Sequence, residues 1–336
     1  MSINPQAKLK SKLFDPKIKM VPTRNGYGEG LVEAGRRDKN VVVLCADLTE
    51  STRCEDFKVA FPDRFVQLGV HEQLLAAMGA GMALADKVPF ISSYATFSPG
   101  RNYEQIRTCI ALSETNVKIA GAHAGVSVGP DGATHQMLED ISLMRILPNM
   151  TVLVPSDAIE AKKATLAAAK IKGPVYIRFA RAASPVFTTQ ATPFKVGRAE
   201  TVRKGKDVTI ISCGPIVYEA LKAAEQLRSE NIDVRVINMH TIKPIDQKAI
   251  IKAASETGAI VTAEEHMIAG GLGSAVAEVL CDCCPTPFER IGIKDRFGES
   301  GPPDKLLKHF GLTAPHIIKA VHRVLIKKLK NKKVKK

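Results

Sequence analysis

The sequence predicts an α/β protein of two domains, each a mostly parallel β-sheet flanked by helices. Short β-branched runs alternate along the chain with alanine-rich stretches of helical periodicity, which is the pattern of parallel strands covered by helices. The chain has 336 residues, of which 45% are hydrophobic and 24% charged. It is therefore long enough to bury a core in each of about two domains.

The elements fall into two sets. In the first set, strands are predicted at 41–45, 65–68, 90–92, 117–121, 151–154 and 175–178, with helices at 72–85 and 158–169. In the second set, strands are predicted at 208–212, 234–237, 259–263 and 288–291, with helices at 217–229, 248–256 and 272–280. The stretch 182–206 is rich in Thr and Pro and has little periodicity, so it is predicted to be a linker. These patterns predict domains at 20–191 and 192–325.

The net charge of +14 is concentrated at the two ends of the chain. Seven lysines lie in 327–336, and five lysines against one acid, Asp15, precede Met20. We therefore expect basic tails at 1–19 and 326–336 that are disordered and solubilising. Binding of RNA or an acidic partner by the tails is the alternative, but no interleaved aromatic residues or nucleic-acid motif supports it.

The seven cysteines are odd in number and have no paired spacing, which favours a reducing cytoplasm. Cys281, Cys283 and Cys284 are close together but lack a second ligand pair, so no metal site is predicted in this chain. The N-terminus has no apolar signal region and no run approaches 18 apolar residues. Neither a signal peptide nor a membrane span is expected.

An ordered set of motifs carries the functional information. It consists of Ala46-Asp47-Leu48, Gly69-Val70-His71-Glu72-Gln73, Tyr94-Ala95-Thr96-Phe97, His123, Asp131-Gly132-Ala133-Thr134-His135-Gln136 and Gly270-Gly271-Leu272-Gly273-Ser274. This order and spacing resemble thiamine-diphosphate enzymes, most closely transketolase, over about residues 20 to 325. The resemblance implies a pyrimidine-binding domain followed by a transketolase C-terminal domain.

Glu72 stands at the start of an apolar helical stretch. The resemblance makes it the glutamate that bonds N1′ of the aminopyrimidine ring of thiamine diphosphate and promotes the imino tautomer, a role that suits a carboxyl group in a dry setting. Its position alone leaves a second interpretation open, in which an acid in the first helical turn complements the helix dipole.

The resemblance assigns further residues to the cofactor. Tyr94 and Phe97 correspond to the aromatic residues that stack on the aminopyrimidine, and Asp47 is also placed at the cofactor. The third aromatic residue that transketolases usually carry is absent, because the chain continues Ser98-Pro99-Gly100-Arg101.

Substrate residues follow from the same resemblance. His123, Asp131 and His135 match positions that touch the oxygens of the sugar, and histidine suits this role because it can donate to a developing alkoxide. Arg24, Ser51 and Arg181 match positions that hold the sugar phosphate, for which the arginine fork is well suited.

The sequence contains no Gly-Asp-Gly, the motif with which such enzymes bind the diphosphate through Mg²⁺. The resemblance therefore implies the C-terminal subunit of a split transketolase, with Mg²⁺ held by a separate N-terminal subunit and an α₂β₂ assembly that includes homodimer contacts. The reaction implied is transfer of a two-carbon ketol unit between ketose and aldose phosphates. Three alternatives remain: a 1-deoxyxylulose-5-phosphate synthase-like half, the β subunit of a 2-oxo acid dehydrogenase E1, and a catalytically inert dimeric scaffold.

Overall fold

The computed structural model describes residues 3–334, and it confirms the predicted α/β class. The strands of this range, in chain order, are β1 (Met20–Pro22), β2 (Val41–Cys45), β3 (Phe65–Gln67), β4 (Val88–Tyr94), β5 (Lys118–Ala122), β6 (Thr151–Leu153), β7 (Val175–Arg178), β8 (Ala183–Pro185), β9 (Glu200–Arg203), β10 (Val208–Ser212), β11 (Val234–Asn238), β12 (Thr241–Lys243), β13 (Ile260–Met267) and β14 (Phe288–Ile293). The α-helices are α1 (Thr23–Arg37), α2 (Glu55–Ala60), α3 (Glu72–Leu84), α4 (Tyr103–Gln105, continued as a π-helix over Ile106–Leu112), α5 (Asp140–Ile146), α6 (Ala158–Lys170), α7 (Ile216–Leu227), α8 (Gln247–Thr257), α9 (Leu272–Cys283), α10 (Pro303–His309) and α11 (Ala314–Val334).

Two sheets organise the chain. The first has seven strands in the order β12-β6-β7-β5-β4-β2-β3, and all neighbours in it are parallel except β12 and β6. The second has five strands in the order β14-β13-β10-β11-β9, with β9 antiparallel at its edge. Strands β2, β5 and β10 are buried throughout, as expected for parallel strands covered on both faces.

One strand and one hydrophobic cluster connect the two sheets. Strand β12 follows β11 of the second sheet in the chain, yet it pairs with β6 of the first. One hydrophobic cluster contains Val42 and Ile119 from the first sheet together with Ile211 and Ile260 from the second. The predicted boundary near residue 192 falls between β8 and β9. The predicted linker is thus partly structured, since β8 pairs with β1 and β9 joins the second sheet.

The prediction of a disordered N-terminal tail is wrong for residues 3–19. Ala7 and Leu13 are fully or almost fully buried, and both belong to the core of the second sheet. The hydroxyl of Tyr218 donates to the Leu13 carbonyl at 2.8 Å. Apolar residues are interspersed among the lysines of this segment and bury against the domain, which the charge count concealed. Met1 and Ser2 lie outside the described residues.

The predicted C-terminal tail is also not a disordered segment over its described part, because α11 continues to Val334. Lys327 forms an ion pair with Glu289 at 2.6 Å, and Lys328 donates to the carbonyls of Asp207 and Thr257. These contacts show that Lys327 and Lys328 belong to a packed helix. Lys335 and Lys336 lie outside the described residues. Within the described range, no helix combines the length and the apolar character that a membrane span requires.

A buried ion pair lies where the two halves meet. Nε of Arg178 donates to Oδ2 of Asp140 at 2.8 Å, with side-chain exposures of 5% and 0%. The hydroxyl of Tyr176 donates to the same oxygen at 2.7 Å, and Nη2 of Arg178 donates to the carbonyl of Glu265 at 2.8 Å. Each polar group thus offsets the desolvation of another.

We predict that Asp140→Ala destabilises the fold by about 3–5 kcal/mol, because it leaves the Arg178 guanidinium buried without its carboxylate. The free energy of unfolding measured by urea titration tests this. Arg37→Ala is the matched control, since the Arg37–Glu33 pair is on the surface and exposed pairs contribute about 1 kcal/mol or less. Equal losses in both variants would contradict the role given to the buried pair.

Candidate active site

The candidate site lies at the carboxyl edge of the seven-stranded sheet, where loops leave five neighbouring parallel strands. Ligands of α/β proteins gather at this edge, because side chains from several loops converge there. The predicted residues that follow the five strands are Asp47 and Ser51 after β2, Glu72 after β3, Tyr94 and Phe97 at and after β4, His123 after β5, and Arg181 after β7.

Glu72 is the first residue of α3 and is 1% exposed. Its Oε2 accepts a hydrogen bond from Nη1 of Arg101 at 2.8 Å. Its Oε1 has no hydrogen-bond partner among residues 3–334. The loop after β4 is held to α3 by Asn102, whose Nδ2 donates to the Glu72 carbonyl at 2.9 Å. The buried carboxyl group thus has one oxygen paired and one oxygen available to a ligand.

Arg101 is a site residue that the sequence reasoning missed, because Ser98-Pro99-Gly100-Arg101 was considered only for its lack of an aromatic residue. The turn before it requires glycine, since a Cβ on Gly100 would lie 2.0 Å from the Thr96 carbonyl oxygen. This turn brings the Arg101 guanidinium to 4.8 Å from the centre of the Phe97 ring and into contact with Glu72. The position of an arginine shortly after the aromatic pair was the available signal.

Four rings form one cluster beside Glu72 and Arg101. Tyr94 and Phe97 are stacked, with ring centres 6.0 Å apart and planes 13° apart. Tyr94 also stacks on His123 at 3.8 Å, and His135 meets the Phe97 ring edge-on at 5.4 Å. The structure therefore brings together four of the residues predicted from sequence, and it supplies a wall of π surfaces next to a buried carboxyl group.

His123 is 1% exposed and lies in the left-handed region with φ +56°. Its Nε2 is 3.3 Å from Nη1 of Arg24. Because a guanidinium can only donate, Nε2 accepts and Nδ1 carries the proton. Nδ1 is buried without a partner in the described structure. Burial, together with the charges of Arg24 and Arg181, lowers the pKa of His123 to about 3. His123 is therefore neutral at physiological pH and holds an unused donor.

Three arginines surround the imidazole. Arg24 donates to the Ser51 carbonyl at 2.7 Å, and Nε of Arg53 donates to the Asn25 side chain at 3.1 Å. Arg181 donates to the Val128 carbonyl at 2.7 Å and lies 3.3 Å from Oδ1 of Asp131. Burial lowers the pKa of Arg24, and the charges of Arg53 and Arg181 act in the same direction. This concentration of positive charge is suited to the anionic end of a substrate.

The structure places the remaining predicted residues as follows. Asp131 is engaged with Arg181, and Ser51 contributes its carbonyl group to Arg24. Asp47 is exposed and accepts a hydrogen bond from Gln67 at 2.9 Å, but within the described residues it makes no hydrogen bond to the other predicted site residues. Arg53 was not predicted as a site residue. Its position two residues after Ser51, a predicted phosphate-binding residue, was the available signal.

Comparisons with known proteins show the family to which the sequence and fold are similar. The family described as "Transketolase, pyrimidine binding domain" matches residues 19–186, and "Transketolase, C-terminal domain" matches residues 197–317. A Methanocaldococcus jannaschii protein provisionally named a transketolase C-terminal section is 44% identical over 89% of this chain and 94% of its own. The 6-deoxy-6-sulfo-D-fructose transketolase subunit of Clostridium sp. (strain MSTE9) is 39% identical over 94% of this chain and 98% of its own.

A solved structure described as "Split gene transketolase, inactive beta4 tetramer" superposes with a TM-score of 0.86. It is 46% identical in sequence, and the match covers 91% of this chain and 99% of that one. The resemblance inferred from the motifs is thereby confirmed.

The neutral state of His123 predicts a pH-dependent contribution to stability. Its pKa is about 3 in the fold, against 6.5 when unperturbed, so the unfolded chain binds more protons between these values and stability falls as pH decreases through this window. Between pH 7 and pH 5 the loss is roughly 2 kcal/mol. His123→Asn should remove it, since asparagine tolerates the left-handed backbone.

Urea unfolding of both proteins at pH 7 and pH 5 measures this difference, because the contributions of the other histidines cancel. His322→Asn, at an exposed position, is the control and should retain the pH dependence of the parent chain. If His123→Asn also retains it, the imidazole is not held neutral.

Proposed function

The chain belongs to the transketolase family, and from this premise we propose that it is the C-terminal subunit of a split transketolase. It would transfer a two-carbon ketol unit between ketose and aldose phosphates, together with a separate N-terminal subunit. The observation that carries the proposal is the buried Glu72 carboxyl group, with Oε1 available, beside the parallel rings of Tyr94 and Phe97 and near three arginines.

The residues present fit the pyrimidine half of thiamine diphosphate. The free oxygen of Glu72 is an acceptor for a protonated ring nitrogen, and the face of Phe97 or Tyr94 can cover an aromatic ring. When bound, this cofactor supplies the electron sink for cleavage of a carbon–carbon bond next to a carbonyl. Glu72 would hold the proton at N1′ of the ring, and Arg101 would keep the carboxyl group oriented through its other oxygen. Asp47 remains a proposed cofactor contact.

The substrate would lie between the imidazoles and the arginine cluster. Neutral His123 can donate from Nδ1 to a sugar oxygen without adding a further positive charge, and His135 meets the Phe97 ring edge-on at 5.4 Å. The phosphate would be held by Arg24, Arg53 and Arg181. The Ser51 carbonyl would orient Arg24, and the Asp131 carboxylate would orient Arg181.

Two observations support a partner-dependent assembly. The sequence contains no Gly-Asp-Gly, so the diphosphate and its Mg²⁺ would be held by the N-terminal subunit. Val70 and Leu74 expose apolar side chains near Glu72 in sequence, with exposures of 63% and 46%, and Leu84 at the other end of α3 is 76% exposed. Apolar surface of this kind beside a site favours burial by another subunit. We propose an α₂β₂ assembly in which β subunits also contact each other.

The alternatives left by the sequence are less well supported. The relatives reported above carry the name transketolase, which favours that activity over a 1-deoxyxylulose-5-phosphate synthase-like half or a 2-oxo acid dehydrogenase β subunit. The available carboxyl oxygen, the unused His123 donor and the arginine cluster form an arrangement with no structural purpose in an inert scaffold. A cytoplasmic location is proposed on the cysteine pattern alone.

Glu72→Gln should lower the turnover of the reconstituted enzyme on the order of a hundredfold or more, because a positioned proton-transfer group contributes about 10²–10⁴-fold. Steady-state ketol transfer at saturating cofactor measures the effect. Glu55→Gln is the matched control, since Glu55 is in the first turn of α2 and tests the helix-dipole interpretation. Near-normal turnover in the Glu72 variant would end the catalytic assignment.

The isolated chain should bind thiamine diphosphate weakly and show no ketol transfer, even with excess Mg²⁺. The reason is that this chain lacks the Gly-Asp-Gly motif that would hold Mg²⁺ against the diphosphate and so neutralise it. Mixed with a subunit containing Gly-Asp-Gly, it should form a heterotetramer that acts on a ketose phosphate and an aldose phosphate. Calorimetric titration and sedimentation measure binding and assembly. The Glu72→Gln chain should assemble equally well but retain the lowered turnover given above. Tight magnesium-dependent binding by the chain alone would contradict the split-subunit proposal.

A further inference from the structure

A second charged site lies in the C-terminal half, and none of the predicted catalytic residues lines it. It is a cavity of about 330 Å³ between the end of β14, the loop after it, and the start of α11. Its eleven lining residues include Arg290, Lys294, Arg296, Lys319 and Arg323, together with two histidines, and none of the eleven is acidic. Five cationic side chains without an acidic residue make a strongly one-sided lining for a concave surface.

The positive charges of the cavity are only partly neutralised. Arg323 pairs with Glu289 at 3.0 Å, but that carboxylate is shared with Lys327. Arg296 lies 3.9 Å from Glu299. Lys294 and Lys319 form no ion pair with any residue in 3–331. Like charges held in a concavity repel one another, and an anion bound among them removes that repulsion.

The cavity is also preorganised. Nη1 of Arg290 donates to the Ile268 carbonyl at 3.0 Å, which fixes one guanidinium in the wall. The Arg296 guanidinium lies 4.1 Å from the centre of the Phe310 ring, so a second cation is held by stacking. Burial, together with Lys319 and Lys308, lowers the pKa of His316. Fixed donors lower the entropic cost of capturing a ligand.

We propose that this cavity is a binding site for a small anion bearing two or more phosphate charges. Its volume is at the lower end of the range for small-molecule sites, and arginine and lysine are the side chains that bind phosphate. The one phenyl ring of the lining, that of Phe310, is only 7% exposed and has Arg296 over it, so it offers no open face for a nucleobase. This favours a small phosphorylated compound over single-stranded nucleic acid. The site is independent of the function proposed above.

Calorimetric titration of inorganic pyrophosphate into the full chain tests the proposal. Lys294→Gln combined with Lys319→Gln should weaken one binding event about tenfold, because two charge-assisted contacts are lost. Lys170→Gln combined with Lys172→Gln removes the same charge from exposed positions near the end of α6 and should leave affinity within about twofold. Arg24→Gln combined with Arg181→Gln separates this event from any pyrophosphate bound at the catalytic cluster, and it should leave the cavity event intact.

Two results would overturn the proposal. One is equal weakening by the cavity pair and the control pair, which would indicate general attraction to a basic chain. The other is that the Lys294→Gln, Lys319→Gln variant leaves pyrophosphate affinity unchanged but weakens the binding of a single-stranded oligonucleotide. Circular dichroism of each variant, expected to match the parent chain, verifies that lost affinity does not reflect lost fold.

Discussion

The position of the loop after β5, which begins with His123, depends on buried charges at the junction of the two halves. Arg178 pairs with Asp140 and donates to the Glu265 carbonyl, while the Glu265 carboxylate accepts the backbone N–H of Ser127 at 2.7 Å. Gly125 makes this approach possible, because its φ is +91° and a Cβ there would lie 2.3 Å from the Glu265 carboxylate. The backbone just after His123 is therefore held by a residue of the second sheet, and the site requires both halves of the chain.

Strands and helices that are specified by their own residues could be predicted from the sequence. β2 and β7 were predicted with their observed bounds, and α3 was predicted to within one residue, because β-branched runs and helical periodicity are properties of adjacent residues. The passage of β12 into the first sheet was not predictable in this way, because a strand of three residues is specified by its partner β6 and not by its own sequence. The prediction for the N-terminal segment was wrong for a related reason, since the segment is buried against residues that lie more than 180 positions later in the sequence.

The candidate site shows the same division. Glu72, Tyr94, Phe97, His123 and His135 could be named from the order of their motifs, but the stacking of His123 on Tyr94 arises from the adjacency of β4 and β5. The pairing of Arg101 with Glu72 depends on a tight turn that bends the loop back onto α3. Composition was the least reliable guide, because charge attributed to solvated tails belongs partly to packed segments and the cavity near α11 adds further basic side chains.

The Arg101–Glu72 pair explains how the Glu72 carboxyl group can be buried in this chain without a ligand. A carboxylate that is almost fully buried is costly unless another group compensates its charge. Arg101 is half exposed and stacks on Phe97, so it can compensate Glu72 from the solvent side while the other carboxylate oxygen stays free. The chain can thus fold with the Glu72 carboxylate already buried, and this burial does not require a bound ligand. Under the proposed split-subunit function, the partner would hold the charged diphosphate end, since the sequence contains no Gly-Asp-Gly.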